Sequence, residues 1–184
     1  EELNILWSLE QTAEKYEDRV AVSDVNQEMT WKGLVKKAQV IGAELSKKVQ
    51  PGNPIPVLLE KSSETLAVML GIVYAGCFYV PVNPMNPAER LRKIMEKLEP
   101  EVIISDEKGK EQLAAVGVGL EEKVIGPETL LPTTGTDLSE EQRSKLEQIQ
   151  GQWKETDALY GIFTSGSTGT PKAIVVSHGA VSRF

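Results

Sequence analysis

Residues 158–178 read Ala158-Leu159-Tyr160-Gly161-Ile162-Phe163-Thr164-Ser165-Gly166-Ser167-Thr168-Gly169-Thr170-Pro171-Lys172-Ala173-Ile174-Val175-Val176-Ser177-His178. The apolar run from Leu159 to Phe163 predicts a buried strand. It empties into a segment made almost wholly of glycines, hydroxyls and one lysine. The β-branched and apolar run Ala173 to Val176 predicts a second strand, so that two buried strands frame the loop. Pro171 cannot donate to a ladder, which puts it at the very start of that strand. Gly166 and Gly169 can take positive φ and let successive N–H groups converge on one point. Thr164, Ser165, Ser167, Thr168 and Thr170 add neutral hydroxyl donors. Lys172 adds a compact positive charge suited to phosphate oxygens. This is the composition of a loop that holds an anion. It is not the Walker loop, because no Gly-Lys-Ser/Thr closes it and a strand follows it. A solvated hairpin or linker could share the composition, but linkers are rarely framed by two apolar strands and closed by Pro-Lys.

Upstream, helical and extended signals alternate. Leu6, Leu9, Ala13 and Tyr16 recur at helical spacing within Leu3–Tyr16. A short strand at Val20–Val22 turns near Asn26-Gln27 and returns through Met29. Thr30 can cap a helix reaching about Lys48, with Leu34, Ala38, Ile41 and Leu45 inward, and Pro51-Gly52-Asn53-Pro54 ends it. Ile55–Leu59 is a strand by its apolar run, Ser62 or Ser63 caps the next helix, and Gly76 closes it. Strands follow at Phe78–Val82, Val102–Ser105 and Lys123–Ile125. Helices run from Pro87 to Leu98 and from about Glu107 to Val116. Within 126–153, Gly126-Pro127 and Leu131-Pro132-Thr133-Thr134-Gly135 read as irregular connection. Ser139-Glu140-Glu141-Gln142 matches a capping box and opens a mostly polar surface helix to about Gln150. Such alternation predicts an α/β fold: a mainly parallel sheet with helices on both faces and ligands at the carboxyl ends of its strands. The loop after Phe163 falls in that place.

A chain of 184 residues suits one domain with a substantial core. Its net charge of −7 argues against a nucleic-acid partner, which would need a basic surface. No apolar run approaches a membrane span and no secretory signal opens the chain. The single cysteine, Cys77, follows Gly76 in an apolar run, where a small buried hydrophobe is the expected role. It rules out an internal disulfide and fits a reducing, cytoplasmic setting. His178 is expected to start a helix capped by Ser177. No metal-ligand spacing is present. The chain opens on Glu1 and stops at Phe184 as a new helix begins, so it reads as a single-domain fragment, 1–184, of something longer.

Residues 164–172 resemble the phosphate-binding signature of the AMP-forming adenylating enzymes. That superfamily includes acyl-CoA synthetases, luciferases, amino-acid adenylation domains of nonribosomal peptide synthetases, and D-alanine–carrier-protein ligases. Ala173 stands where the family usually has glycine. A second stretch, Tyr74-Ala75-Gly76-Cys77-Phe78-Tyr79-Val80-Pro81-Val82-Asn83, resembles a core motif of the amino-acid-activating members, with Asn83 in place of the usual aspartate. Pro87-Ala88-Glu89-Arg90-Leu91 and Met29-Thr30-Trp31 continue the likeness in the right order.

The resemblance implies the first part of the large N-terminal domain of such an enzyme. It implies a reaction of ATP, with Mg2+, and a carboxylic or amino acid to give an acyl adenylate and pyrophosphate. The acyl group would then pass to the thiol of a phosphopantetheinyl carrier protein. Thr164, Ser165, Gly166, Ser167, Thr168, Gly169 and Thr170 would wrap the leaving phosphates, with Lys172 as the charged contact. The remaining functional parts of the family would lie beyond Phe184, so the fragment alone is expected to be inactive. Peptide synthetase and D-alanine ligase stay unseparated. An acyl-CoA synthetase and a non-catalytic phosphate-binding or carrier-docking relative remain open.

Overall fold

Short-range hydrogen bonds fix where the helices start. The computed structural model describes residues 4–131, 137–165 and 169–182. Helix α1 (Ile5–Lys15) begins where Asn4 accepts from the Leu6 N–H. A hairpin of β1 (Val20–Ser23) and β2 (Glu28–Thr30) leads into α2 (Trp31–Ser46), capped by the Thr30 hydroxyl accepting from Gly33 N at 3.1 Å. After β3 (Pro54–Leu58), the Ser62 hydroxyl accepts from Thr65 N at 3.1 Å and starts α3 (Ser63–Tyr74). Of the two candidate serines, Ser62 is therefore the cap. Ser63 instead gives both its N–H (2.8 Å) and its hydroxyl (2.6 Å) to Asp24 in the hairpin turn. These bonds, joined by those from Asn26 and Gln27, hold the Asp24 carboxyl well below the usual carboxylate range.

Strand β4 (Phe78–Pro81) precedes α4 (Ala88–Leu98), with Pro87 just before its first residue and making no side-chain cap bond. Helix α4 ends in a left-handed turn at Glu99, φ 46°, whose N–H donates to Met95 O, one residue before Pro100. Strand β5 (Ile103–Ser105) leads to α5 (Glu107–Ala114), which Asp106 caps through Gly109 N at 2.8 Å. The remaining strands and α-helices are β6 (Val124–Ile125), α6 (Glu140–Gly151), β7 (Ala158–Ser165), β8 (Pro171–Ser177) and α7 (His178–Ser182).

The main sheet has six strands in the order β6-β5-β3-β4-β7-β8, parallel throughout except for the antiparallel β7–β8 pair. Alternate side chains of β3 show the layering. Ile55 and Val57 pack with Leu34, Ile41 and Leu45 of α2 and with Ala67, Val68 and Ile72 of α3. Leu58 packs on the other face with Leu91, Ile94 and Met95 of α4 and Leu113 of α5. Each such buried Leu, Ile, Val or Met side chain contributes roughly 1.5–3 kcal/mol. Helices therefore cover both faces, and every parallel strand ends at one common carboxyl edge.

The connection around 126–153 is more ordered than its composition predicts. A 3-10 turn at Pro127–Leu130 buries Leu130 fully, while 132–136 lie outside the described residues. Helix α6 carries the full Ser139–Gln142 capping box and is mostly polar, as expected. It is nevertheless anchored by Leu146 and Ile149, and Gln142 donates to Glu44 of α2 at 3.0 Å. Gly76 ends α3 with φ 77°, and a Cβ there would press on Pro51 and Ile149, each at 2.9 Å. Cys77 is buried and donates its thiol to Gln50 O; burial pushes the thiol up to about 11, which suits packing and not nucleophilic chemistry.

Candidate functional site

Strand β7 runs parallel to β4, so its final residues emerge at the carboxyl edge of the sheet. Strand β8 folds back beside it, pairing Ile162 with Ile174, Phe163 with Ala173, Thr164 with Lys172 and Ser165 with Pro171. The expected strand–loop–strand is thus an antiparallel hairpin whose mouth lies at that edge. Both strands are longer than the apolar runs indicate, because ladder pairing carries on through Thr164-Ser165 and Pro171-Lys172. Pro171 opens β8 as predicted, and it is buried.

One expectation fails. Strand β8 is not a buried strand: Lys172 through Val175 are exposed, Ile174 at 46% and Val175 at 56%. It is the outermost strand, paired on one side only, and Lys97 of α4 bonds it at Pro171. Apolar composition signals a strand but does not say what covers it.

Thr164 is half-buried and Lys172 is exposed directly opposite it, so their side chains leave the same face of the hairpin. None of the ion pairs among the described residues involves Lys172, which leaves its ammonium available to an anion. Gly169 has φ 73°, the left-handed conformation the loop reading requires of it, and neither Gly169 nor Thr170 is buried. Gly166, Ser167 and Thr168 lie outside the described residues; Ser165 enters through its backbone pairing alone. A hydroxyl, a lysine and a positive-φ glycine therefore gather at one loop mouth.

Sequence reading missed one contact there. Lys97, in the last turn of α4, donates its ammonium to Pro171 O at 3.0 Å. Its only sequence signal is a basic residue near a helix end, and the contact spans 74 positions. The two departures from the family pattern are structurally mild. Asn83 accepts from Met85 N at 2.9 Å, a turn bond an aspartate would make equally. Ala173 is exposed, outside the packed core. Among the described residues, no group of three His, Cys, Asp or Glu could hold a metal ion, and no helix is long and apolar enough to cross a membrane.

At the opposite end of the hairpin, His178 starts α7, and the Ser177 hydroxyl accepts from Ala180 N at 3.3 Å. His178 is 2% exposed, its Nδ1 has no hydrogen-bond partner among the described residues, and Trp153 meets its ring edge-on at 5.1 Å. Burial lowers its pKa to about 4, against a smaller upward pull from Asp157. An unfolded histidine titrates near 6.5. The unfolded chain thus binds the extra proton between pH 6.5 and 4, and stability falls as pH drops through that window. The full effect corresponds to roughly 3 kcal/mol. Urea midpoints measured from pH 7.5 to 4 should fall steeply for this chain and less for His178→Phe; equal slopes would refute the assignment.

Parallel α/β layers set this hydroxyl-, glycine- and lysine-bearing hairpin at the carboxyl edge, where open α/β sheets bind their ligands. Residues 9–184 match the family of AMP-binding enzymes, and the chain belongs to that family. It is 32% identical over 174 residues to bacitracin synthase 1 of Bacillus licheniformis, covering 92% of this chain and 3% of that protein. It is 30% identical over 176 residues to tyrocidine synthase 1 of Brevibacillus parabrevis, covering 95% of this chain and 15% of that protein. The N-terminal subdomain of Klebsiella oxytoca NpsA has the same fold, with a TM-score of 0.79 and 22% identity over 99% of this chain and 44% of that one. The chain therefore spans a small part of those synthases and under half of the NpsA chain. Both the resemblance to adenylating enzymes and the mainly parallel α/β fold are met.

Proposed function

We propose that this chain is the phosphate-holding part of an enzyme that uses ATP to activate an amino acid as its acyl adenylate. One observation carries the reading: Lys172, exposed and without an ion-pair partner among the described residues, faces Thr164 across the loop mouth at the carboxyl edge. A carboxylate oxygen attacks the α-phosphorus in line, the bond to the bridging oxygen breaks, and pyrophosphate leaves with the electron pair. Negative charge grows on the departing phosphates. Preorganised donors at that place (the Thr164 and Thr170 hydroxyls, the Gly169 backbone and Lys172) lower the barrier. Mg2+ on the triphosphate supplies further charge neutralisation there. A loop with no carboxylate between Thr164 and Lys172 fits a metal that arrives on the nucleotide. The amino acid as substrate, and a carrier-protein phosphopantetheine thiol as acceptor, are supported by relatives named as bacitracin and tyrocidine synthases and as a nonribosomal peptide synthetase.

The test is amino-acid-dependent exchange of labelled pyrophosphate into ATP by the full-length protein, with D-alanine and the common amino acids. Exchange with one of them, and none by residues 1–184 alone, is the expected result. A folded full-length protein that exchanges with no acid would overturn the reading.

A further inference from the structure

We propose that Lys97 is a positioning residue for the phosphate loop, tying the loop's exit to α4 so that Pro171 and Lys172 are already in place when the triphosphate binds. The proposal rests on the adenylation reading above. Its physical basis lies in the hairpin. The pair that closes the loop is Ser165 with Pro171, and a proline brings no N–H to the ladder. Pro171 can therefore hydrogen-bond only through its carbonyl. Beyond buried Pro171, Lys172 through Val175 are exposed on an outermost strand, so packing does little to hold the stretch that carries Lys172. Lys97 supplies a bond from outside, to Pro171 O at 3.0 Å.

The element that presents Lys97 is rigid. Leu91, Ile94 and Met95 of α4 are buried against β3, β4 and β5. Arg92 of the same helix is held by Glu89 and Glu96, whereas Lys97 takes part in none of the ion pairs among the described residues. A lysine that only complemented the C-terminal end of its helix would serve the last carbonyls of α4. This one reaches across to β8. A strand start tied to a packed helix loses less freedom when nucleotide binds, which shows as affinity for the nucleotide.

The experiment compares Lys97→Met, which keeps the apolar stem, and Lys97→Arg, which keeps the charge, in the full-length protein. Pyrophosphate exchange gives KM for MgATP and kcat, and thermal unfolding gives stability. Lys97→Met is expected to raise KM for MgATP about three- to tenfold, with kcat and the unfolding midpoint close to the parent, and Lys97→Arg to restore most of it. Amide hydrogen exchange at Lys172 and Ala173 should quicken in Lys97→Met and be unaffected in the buried strands. An unchanged KM in an active protein, or a lower unfolding midpoint with KM unchanged, would overturn the role of Lys97 and leave adenylation standing. An unsubstituted protein that exchanges with no acid would overturn both.

Discussion

Replacing Lys172 with alanine is expected to lower kcat/KM for acid-dependent pyrophosphate exchange by about 100- to 1000-fold, the range seen when one preorganised charge-stabilising donor is removed. Most of the loss should fall on kcat, because the ammonium interacts more strongly with pyrophosphate as it departs than with the triphosphate beforehand. Folding should be untouched: Lys172 is exposed and joins none of the ion pairs among the described residues. Lys172→Arg should recover part of the rate, since it keeps the charge but not the compact shape of an ammonium. Exchange at the parental rate in Lys172→Ala would take the lysine out of the mechanism. A large loss accompanied by a fallen unfolding midpoint would point to structure instead.

What was legible in the sequence follows the range of the forces involved. Thr30, Ser62 and Ser139 each bond a backbone N–H three residues on, so the helix starts they create can be read locally. The β3 run and the inward positions of α2 were likewise visible as periodicity. Contacts between distant residues were not. Asp24 and Ser63 are 39 positions apart, and nothing in either neighbourhood announces that a hairpin turn will sit on the start of α3. Lys97 and Pro171 are farther apart still. The exposure of β8 was misread for a related reason: Ile174 and Val175 have the composition of a core strand, but coverage depends on what packs beside them. For the candidate site, composition named the loop and its lysine, while the antiparallel register that sets Lys172 against Thr164 came only with the fold.

The same division governs the second large effect, at the crossing of α2 and α3. Gly42 lies within α2 and Gly71 within α3, each at a cost of about 1 kcal/mol relative to alanine in a helix. Their spacing in sequence gives no hint of a role. In the structure the two helices meet there: a Cβ on Gly42 would lie 2.5 Å from Tyr74 Cβ and 2.8 Å from the Gly71 carbonyl oxygen. Neither neighbour is the free end of a flexible side chain, and Tyr74 is itself fully buried with its hydroxyl donating to Glu10. The helices must separate to admit a methyl group, which disturbs the Ile41 and Ile72 packing that seats both on the sheet. Gly42→Ala should therefore destabilise by about 1–3 kcal/mol in spite of its better helix propensity, and Gly42→Leu by more, enough to unfold a marginal domain. Gly151, in the last turn of α6, is the control, because nothing lies within 4 Å of a Cβ built there. Gly151→Ala should be neutral or stabilise by up to about 1 kcal/mol. Urea unfolding of the three variants decides the matter: opposite signs for the two alanine substitutions place the cost in the helix crossing, and equal gains in both would show that α2 and α3 have room to spare.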